Sequence, residues 1–307
     1  MQRYKYKYSP VPNLVSVIIP THNRAYLLPE TLDSFESQDY DDIEIIIVDD
    51  RSADNTQEIV EALSKTSRHT IHYIKSDGVG GNHARNIGMI NSKGEYIQFF
   101  DSDDIAAPNF ISCRIDTLRK HHCDFCTCNF KYFEGQTSNI VGYKTIDGIE
   151  HTVTSHLNSY SLPTQCFLFR RTCLEAIGFW HEKVRRLQDM CYYQRLFKHN
   201  KQGIWMDTFL FYLRRHEHNI THMEPRDTFI YSWSKICKEW RDRGMINDVR
   251  VLCIHKIWNA MAELRIGRKH KKYVKNIVST FIQFPYLLSW YIIKVKILHK
   301  TNLVYGL

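Results

Sequence analysis

Four short apolar runs in the first hundred residues each give way to a cluster of polar ones, and this pattern restricts the fold more than any other feature of the chain. Residues 15–19 (VSVII) lead through Pro20 to the polar stretch 21–24, and residues 43–48 (IEIIIV) to 49–52. The shorter run 71–74 precedes 77–81, and residues 96–100 (YIQFF) run into 101–104. Between them, residues 26–37, 54–63 and 81–91 carry apolar residues at helical spacing, with Ser52 or Asp54 the expected N-cap of the second. Branched runs alternating with amphipathic stretches predict βαβ units: an α/β fold with a mostly parallel sheet flanked by helices. In such a sheet ligands bind outside the carboxyl ends of the strands, so four separate segments are expected to line one cleft.

Further along, the pattern predicts a helix over 108–120, a strand over 123–133 and an irregular stretch over 134–163. A strand over 165–170, a helix over 187–199 and one or two strands within 204–214 follow. From about residue 225 the pattern turns wholly helical, including 230–241 and 249–264. Charge divides at the same place. Residues 1–225 hold 25 Lys and Arg against 28 Asp and Glu, net −3, whereas residues 226–307 hold 16 against 5, net +11. A mildly acidic body followed by a basic region suggests a catalytic domain and a segment that meets an anionic surface. The nine cysteines lie scattered through apolar segments and read as reduced core thiols. Residues 1–10 alternate Tyr and Lys without the apolar stretch of a secretory signal, so the expected compartment is cytoplasmic.

The polar clusters have chemistry to match. In Asp101-Ser102-Asp103-Asp104, carboxylates two residues apart beyond a strand suit a hard divalent cation and a ribose on one loop. Mg²⁺ or Mn²⁺ takes a few carboxylate oxygens and completes its shell with water and a substrate's diphosphate. Asp49 and Asp50, with Arg51, Ser52 and Asp54, can take hydrogen bonds from a base or ribose, or serve as a capping cluster. Gly78, Gly80 and Gly81 followed by Arg85 combine a pliant backbone, a helix N-terminus and a cation, which suits a phosphate-bearing ligand. No Gly-Lys-Ser/Thr follows, so this is not a Walker loop.

Taken in order, VSVIIPTHNRAYLLPETLDSF, EIIIVDDRSADNT, GVGGNHARNIGM and GEYIQFFDSDDIAAPNF resemble the N-terminal motifs of glycosyltransferase family 2, whose fold is GT-A. The resemblance covers roughly residues 14–221. It implies an inverting, metal-dependent transfer of a sugar from a nucleotide diphosphate donor, UDP-linked by the family's habit, with a donor half over about 14–110 and an acceptor half over about 111–225. By the same resemblance Pro20, Thr21, Asn23, Arg24, Asp50, Ser52, Gly81, Arg85, Asp101 and Ser102 meet the donor. Glu30 does so too, or else holds the loop 49–51 in place. Asp101 and Asp103 form the DXD motif that meets the ribose, the diphosphate and the Mn²⁺ or Mg²⁺ ion, with Asp103 the preferred direct ligand, while Asp104 serves as a cap or support. Gly178-Phe179 and Leu187-Gln188-Asp189 resemble the segment that ends in an acidic pair, implying that Asp189 is the general base although Gln188 stands where an acid is usual. The stretch 214–221 resembles a basic, His-bearing segment from which His216 reaches the diphosphate or metal.

Cys126 and Cys128 flank Thr127 in an expected strand, which reads as buried thiols rather than zinc ligands. The basic stretch 265–275 before the uncharged run 276–293, with Trp290 and Tyr291, fits a helix lying in a membrane interface and drawn to anionic lipid; packing on the catalytic domain and a membrane span are the alternatives. Partners expected from all this are a nucleotide sugar, a glycan or lipid-linked acceptor and an anionic membrane surface, and no nucleic acid. The setting is a bacterium, with the chain peripheral on the inner face of the cytoplasmic membrane. The alternative is a chain of the same fold that binds a nucleotide sugar, or scaffolds at the membrane, without turnover.

Overall fold

Isoleucine and valine, whose branched Cβ atoms favour extended backbone, form the middle of the sheet in the computed structural model, which describes residues 4–145, 162–182, 188–199 and 201–216. All of these belong to the first of two units, Met1–Met223. The helical region expected over 226–307, its membrane-facing stretch included, lies outside the described residues.

Strands β1 (Val11–Thr21), β2 (Ile43–Asp49), β3 (Thr70–Lys75) and β4 (Gly94–Phe99) are mutually parallel in the order β3-β2-β1-β4. Helices α1 (Leu28–Glu36), α2 (Thr56–Leu63) and α3 (Gly81–Asn91) connect them. β1 runs through Pro20 instead of stopping there. Its pairing to β4 ends at Ile18 and Phe99, so the missing proline N–H costs no ladder bond on that side.

The sheet changes character beyond β4. Strand β8 (Phe167–Arg170) pairs antiparallel with β4 and with the start of β6 (Phe125–Phe133). β6 lies parallel to β9 (Gly203–Arg214), one strand with register shifts rather than two. The two-residue β5 (Ile105–Ala106) pairs antiparallel with β9. Three elements depart from the sequence reading. β7 (Ile140–Lys144) folds back on β6 inside the stretch expected to be irregular, after a turn in which Gly135 takes φ 68°. A short 3₁₀ turn, Thr164–Cys166, precedes β8. Helix α5 (Arg171–Ile177) follows it directly and had no counterpart in the reading. Helices α4 (Ser112–His121) and α6 (Gln188–Lys198) match expectation to within a few residues. No helix among the described residues is long and apolar enough to cross a membrane.

The core is continuous from Val15, Val17 and Ile45 through Phe99, Phe100 and Phe110 to Phe130, Phe167 and Phe211. Cys126, Cys128 and Cys166 are buried free thiols within it, and burial pushes the Cys128 thiol up to about 11. Helix α3 rides very close to β1 at Gly88, where a Cβ would sit 2.3 Å from Ile18 Cγ2. Ile18 is fully buried and stiff at χ1, so it has little room to yield. Gly88→Ala is therefore expected to destabilise the fold by about 1–3 kcal/mol, read as a lower urea midpoint at unchanged slope.

Candidate active site

The ends of β1, β2 and β3 are in step, Thr21 opposite Asp49 and Asp49 opposite Lys75, so the loops that leave them are tied together. The Asp50 amide donates to the Thr21 carbonyl at 2.8 Å, and the Asn23 amide to Ser52 Oγ at 2.9 Å. In return the Ala53 amide donates to Asn23 Oδ1 at 2.7 Å, and the Ala25 amide to Asp54 Oδ2 at 3.0 Å. These bonds hold Asn23 (φ 51°) and Arg51 (φ 65°) in the left-handed region. Ser52 thus braces the loop and does not cap α2, whose N-cap is Asn55; Asp54 accepts from the Thr56 amide at 3.2 Å. Asp50 accepts from Ser76 Oγ at 2.9 Å. Pro20 is half-buried at the strand end, and the buried Thr21 Oγ1 has no partner among the described residues.

Gly80 takes φ 116° to start α3 at Gly81, which puts Arg85 on the first turns of that helix. The Arg85 guanidinium, 5% exposed, donates through Nη2 to Asp101 Oδ1 at 2.9 Å and lies 5.1 Å from the centre of the Trp180 ring. Its Nε and Nη1 are buried without an acceptor among the described residues. Buried N–H groups of a cation left without acceptors are costly, and an anionic ligand beside Asp101 would satisfy them. A Cβ at Gly81 would approach Arg85 Nη1 to 3.2 Å. Trp180 is held from below, stacked on Tyr192 at 3.9 Å and bonded twice to Asn86 through its backbone. Beside it Glu182 accepts from Tyr4, His83 and Asn86; burial opposes its ionisation, but those bonds outweigh it and hold the carboxyl below the usual range.

Asp103 faces the other side of the loop. Its Oδ2 is 2.9 Å from Arg24 Nη1 and 3.0 Å from His216 Nε2, which itself lies 2.8 Å from Arg24 Nη1. The imidazole nitrogen donates to the carboxylate in one tautomer and accepts from the guanidinium in the other. Ser102 is buried between the two acids, and Asp104 is more deeply buried still. Asp104 accepts from the Arg214 amide at 2.8 Å and from Gln165 Nε2. Burial, then the charges of Asp103 and Asp101, push its carboxyl well above the usual carboxylate range, against the pull of Arg214. Arg214 gathers the surroundings, donating to the Asp103 carbonyl at 2.9 Å, the Gly135 carbonyl at 2.9 Å and the Glu30 carboxylate. Glu30 therefore does not brace the loop 49–51 as one expectation had it. In the first turn of α1 it points toward the end of β9, and Ser52 braces the loop.

Asp189 opens α6 with its side chain half-buried. Tyr193, one turn further along α6, is fully buried; burial raises its pKa well above normal, the carboxylates of Asp189 and Asp101 raise it further, and Arg85 opposes them. Direct bonds join the loops after β1 and β4, the start of α3 and the end of β9; residues 217–221 of the basic segment lie outside the described residues.

Among the described residues no three of His, Cys, Asp and Glu gather tightly around one point. Asp103 Oδ2 and His216 Nε2, on side chains 17% and 18% exposed, nevertheless fit a cation that takes two protein donors and fills its shell with water and phosphate oxygens. Asp101, on the same loop, engages Arg85 and, at 3.5 Å, Thr164 Oγ1.

The family model described as "Glycosyl transferase family 2" matches residues 16–178, more than half of the 307-residue chain. The chain belongs to glycosyltransferase family 2. Among curated family members, glycosyltransferase GlyG of Streptococcus pneumoniae is 26% identical over 236 residues, 72% of this chain and 76% of that one. This family 2 chain spans 17% to 33% of the length of three further relatives. Two solved structures share the fold. Staphylococcus aureus TarS, residues 1–349 with UDP-GlcNAc, superposes with a TM-score of 0.62 at 19% identity, covering 88% of this chain and 73% of that one. Mannosyltransferase PcManGT of Pyrobaculum calidifontis, with GDP-Man and Mn²⁺, gives 0.55 at 17% identity over 90% and 87%.

Proposed function

We propose that this chain is an inverting, metal-dependent transferase that moves a hexosyl or N-acetylhexosaminyl group from a UDP-linked sugar to a hydroxyl of a lipid-linked or cell-surface glycan. The observation that carries the reading is the buried Arg85 guanidinium, bonded to Asp101 and offering unused N–H donors to an anion, with Asp103 and His216 on the far side of the same loop. Asp50 and Thr21, at the ends of β2 and β1, are the residues we assign to the base and ribose. The UDP-GlcNAc bound by TarS supports a nucleotide-sugar donor, and the Mn²⁺ in PcManGT supports a divalent cation.

Asp103 and His216 would hold that cation; when bound, it neutralises charge on the leaving diphosphate. The chain's own work is to orient and to move a proton. Arg85 fixes the diphosphate end through its bond to Asp101, and the Asp189 carboxylate accepts the acceptor hydroxyl's proton as that oxygen attacks the anomeric carbon. The basic region 226–307, net +11, supports a peripheral position on the inner face of a bacterial cytoplasmic membrane, where lipid-linked acceptors reside.

A panel of UDP and GDP sugars incubated with Mn²⁺, with and without EDTA, tests this. Release of nucleoside diphosphate is expected with one or a few UDP sugars and is expected to vanish on chelation. Tight nucleotide binding without turnover on any donor would point to the binding protein instead.

A further inference from the structure

We infer that Gln165 is a positioning residue that holds the Asp104 end of the 101–104 loop from the acceptor side of the sheet. The inference deepens the reading of that loop as the donor and metal site and rests on it. Gln165 is fully buried. Its Nε2 donates to Asp104 Oδ2, the neighbouring Thr164 Oγ1 lies 3.2 Å from its Oε1, and the same Thr164 hydroxyl reaches Asp101 Oδ1 at 3.5 Å. The turn thus grips the last acid of the loop, while Asp103, one residue earlier, faces Arg24 and His216.

The turn is itself anchored. The Gln165 carbonyl accepts from Gln98 Nε2 at 3.2 Å, within β4, and from Nη1 of the fully buried Arg114 at 3.2 Å. Among the described residues no carboxylate pairs with Arg114: its guanidinium packs 3.5 Å from the Phe110 ring centre, and its Nε donates to the Phe110 carbonyl at 2.7 Å, while Nη2 is buried without a partner there. Burying such a cation is costly, and its two carbonyl bonds tie the turn to α4. On the opposite side of the loop, the Arg214 amide holds the other Asp104 oxygen. Asp104 is therefore gripped from β9 through Oδ1 and from the Thr164–Cys166 turn through Oδ2, and the backbone carrying Asp103 is fixed between them. Outer partners of a metal-binding carboxylate commonly set affinity in this way.

The test is calorimetric titration of whichever of UDP and GDP the unmodified chain binds, at a series of Mn²⁺ concentrations. Gln165→Met keeps volume and removes the donor; it is expected to raise the Mn²⁺ concentration for half-maximal nucleotide binding by about ten- to a hundred-fold, with a raised donor KM. A residue important only for folding would shift the thermal midpoint and leave that Mn²⁺ dependence unchanged. Gln165→Glu alone sets two carboxylates against each other and should do the same damage. Combined with Asp104→Asn it restores one N–H···O bond of reversed polarity, so the double variant should recover most of the loss. Unchanged Mn²⁺ dependence in Gln165→Met, or a double variant no better than Gln165→Glu, would overturn the inference while leaving the functional reading intact. If the unmodified chain binds neither nucleotide, the functional reading fails and this inference goes with it.

Discussion

Asp103→Asn is expected to abolish sugar transfer, lowering the rate by about a thousandfold or more, because stabilising charge on a departing diphosphate is worth several kcal/mol. The substitution keeps shape and one oxygen but removes the charge that a divalent cation needs. Nucleotide binding in the presence of Mn²⁺ should weaken to the level seen with EDTA, which calorimetry would show directly. Some stability should be lost as well. The Arg24 and Asp103 side chains are only 16% and 17% exposed, and removing one charge of a largely buried pair costs more than the ~0–1 kcal/mol of an exposed one. A thermal midpoint must therefore show that the variant is folded. Transfer at an undiminished rate by a folded Asp103→Asn chain would remove the metal from the account.

Asp189→Asn is the complementary experiment. An amide cannot accept the acceptor's proton, and loss of a positioned general base costs about 10²- to 10⁴-fold. This carboxylate stands on α6 and not on the 101–104 loop, so Mn²⁺-dependent nucleotide binding should remain close to that of the unmodified chain. The two variants separate the donor and acceptor sides of the cleft: one loses binding and turnover, the other turnover alone. Normal turnover in Asp189→Asn would move the base elsewhere.

What could be read from the chain beforehand was whatever leaves a local signature. Residues 43–48 are wholly apolar but for one acid, which announces a buried parallel strand; β2 lies there, and the polar cluster at its end lies in the cleft. Gly80 and Gly81 mark the start of α3, and that helix runs over the expected residues. β7 escaped because its burial alternates only weakly, exposed residues flanking half-buried ones, so its pairing to β6 depends on the turn and not on pattern. α5 escaped for being two turns long and charged at its start. The site was legible in its acids and Arg85 and illegible in its supports. Gln165 meets Asp104 across 61 positions, and Arg214 meets Glu30 across 184. Single polar residues that far apart carry no periodicity or spacing to betray them. The bond from Glu30 to Arg214, at the other end of the domain, was illegible for the same reason.

The contact between Gly88 and Ile18 has a mechanical meaning for the cleft. Arg85 lies three residues before Gly88 on α3, and Thr21 three residues after Ile18 on β1, so a single hydrogen atom at Gly88 acts as the gauge that sets the jaw width between the anion-seeking guanidinium and the strand tip. A helix seated that closely cannot rock without lifting off the sheet. Any accommodation of a ligand in this cleft is left to the loops, because the hinge that could have widened the jaw is missing its clearance.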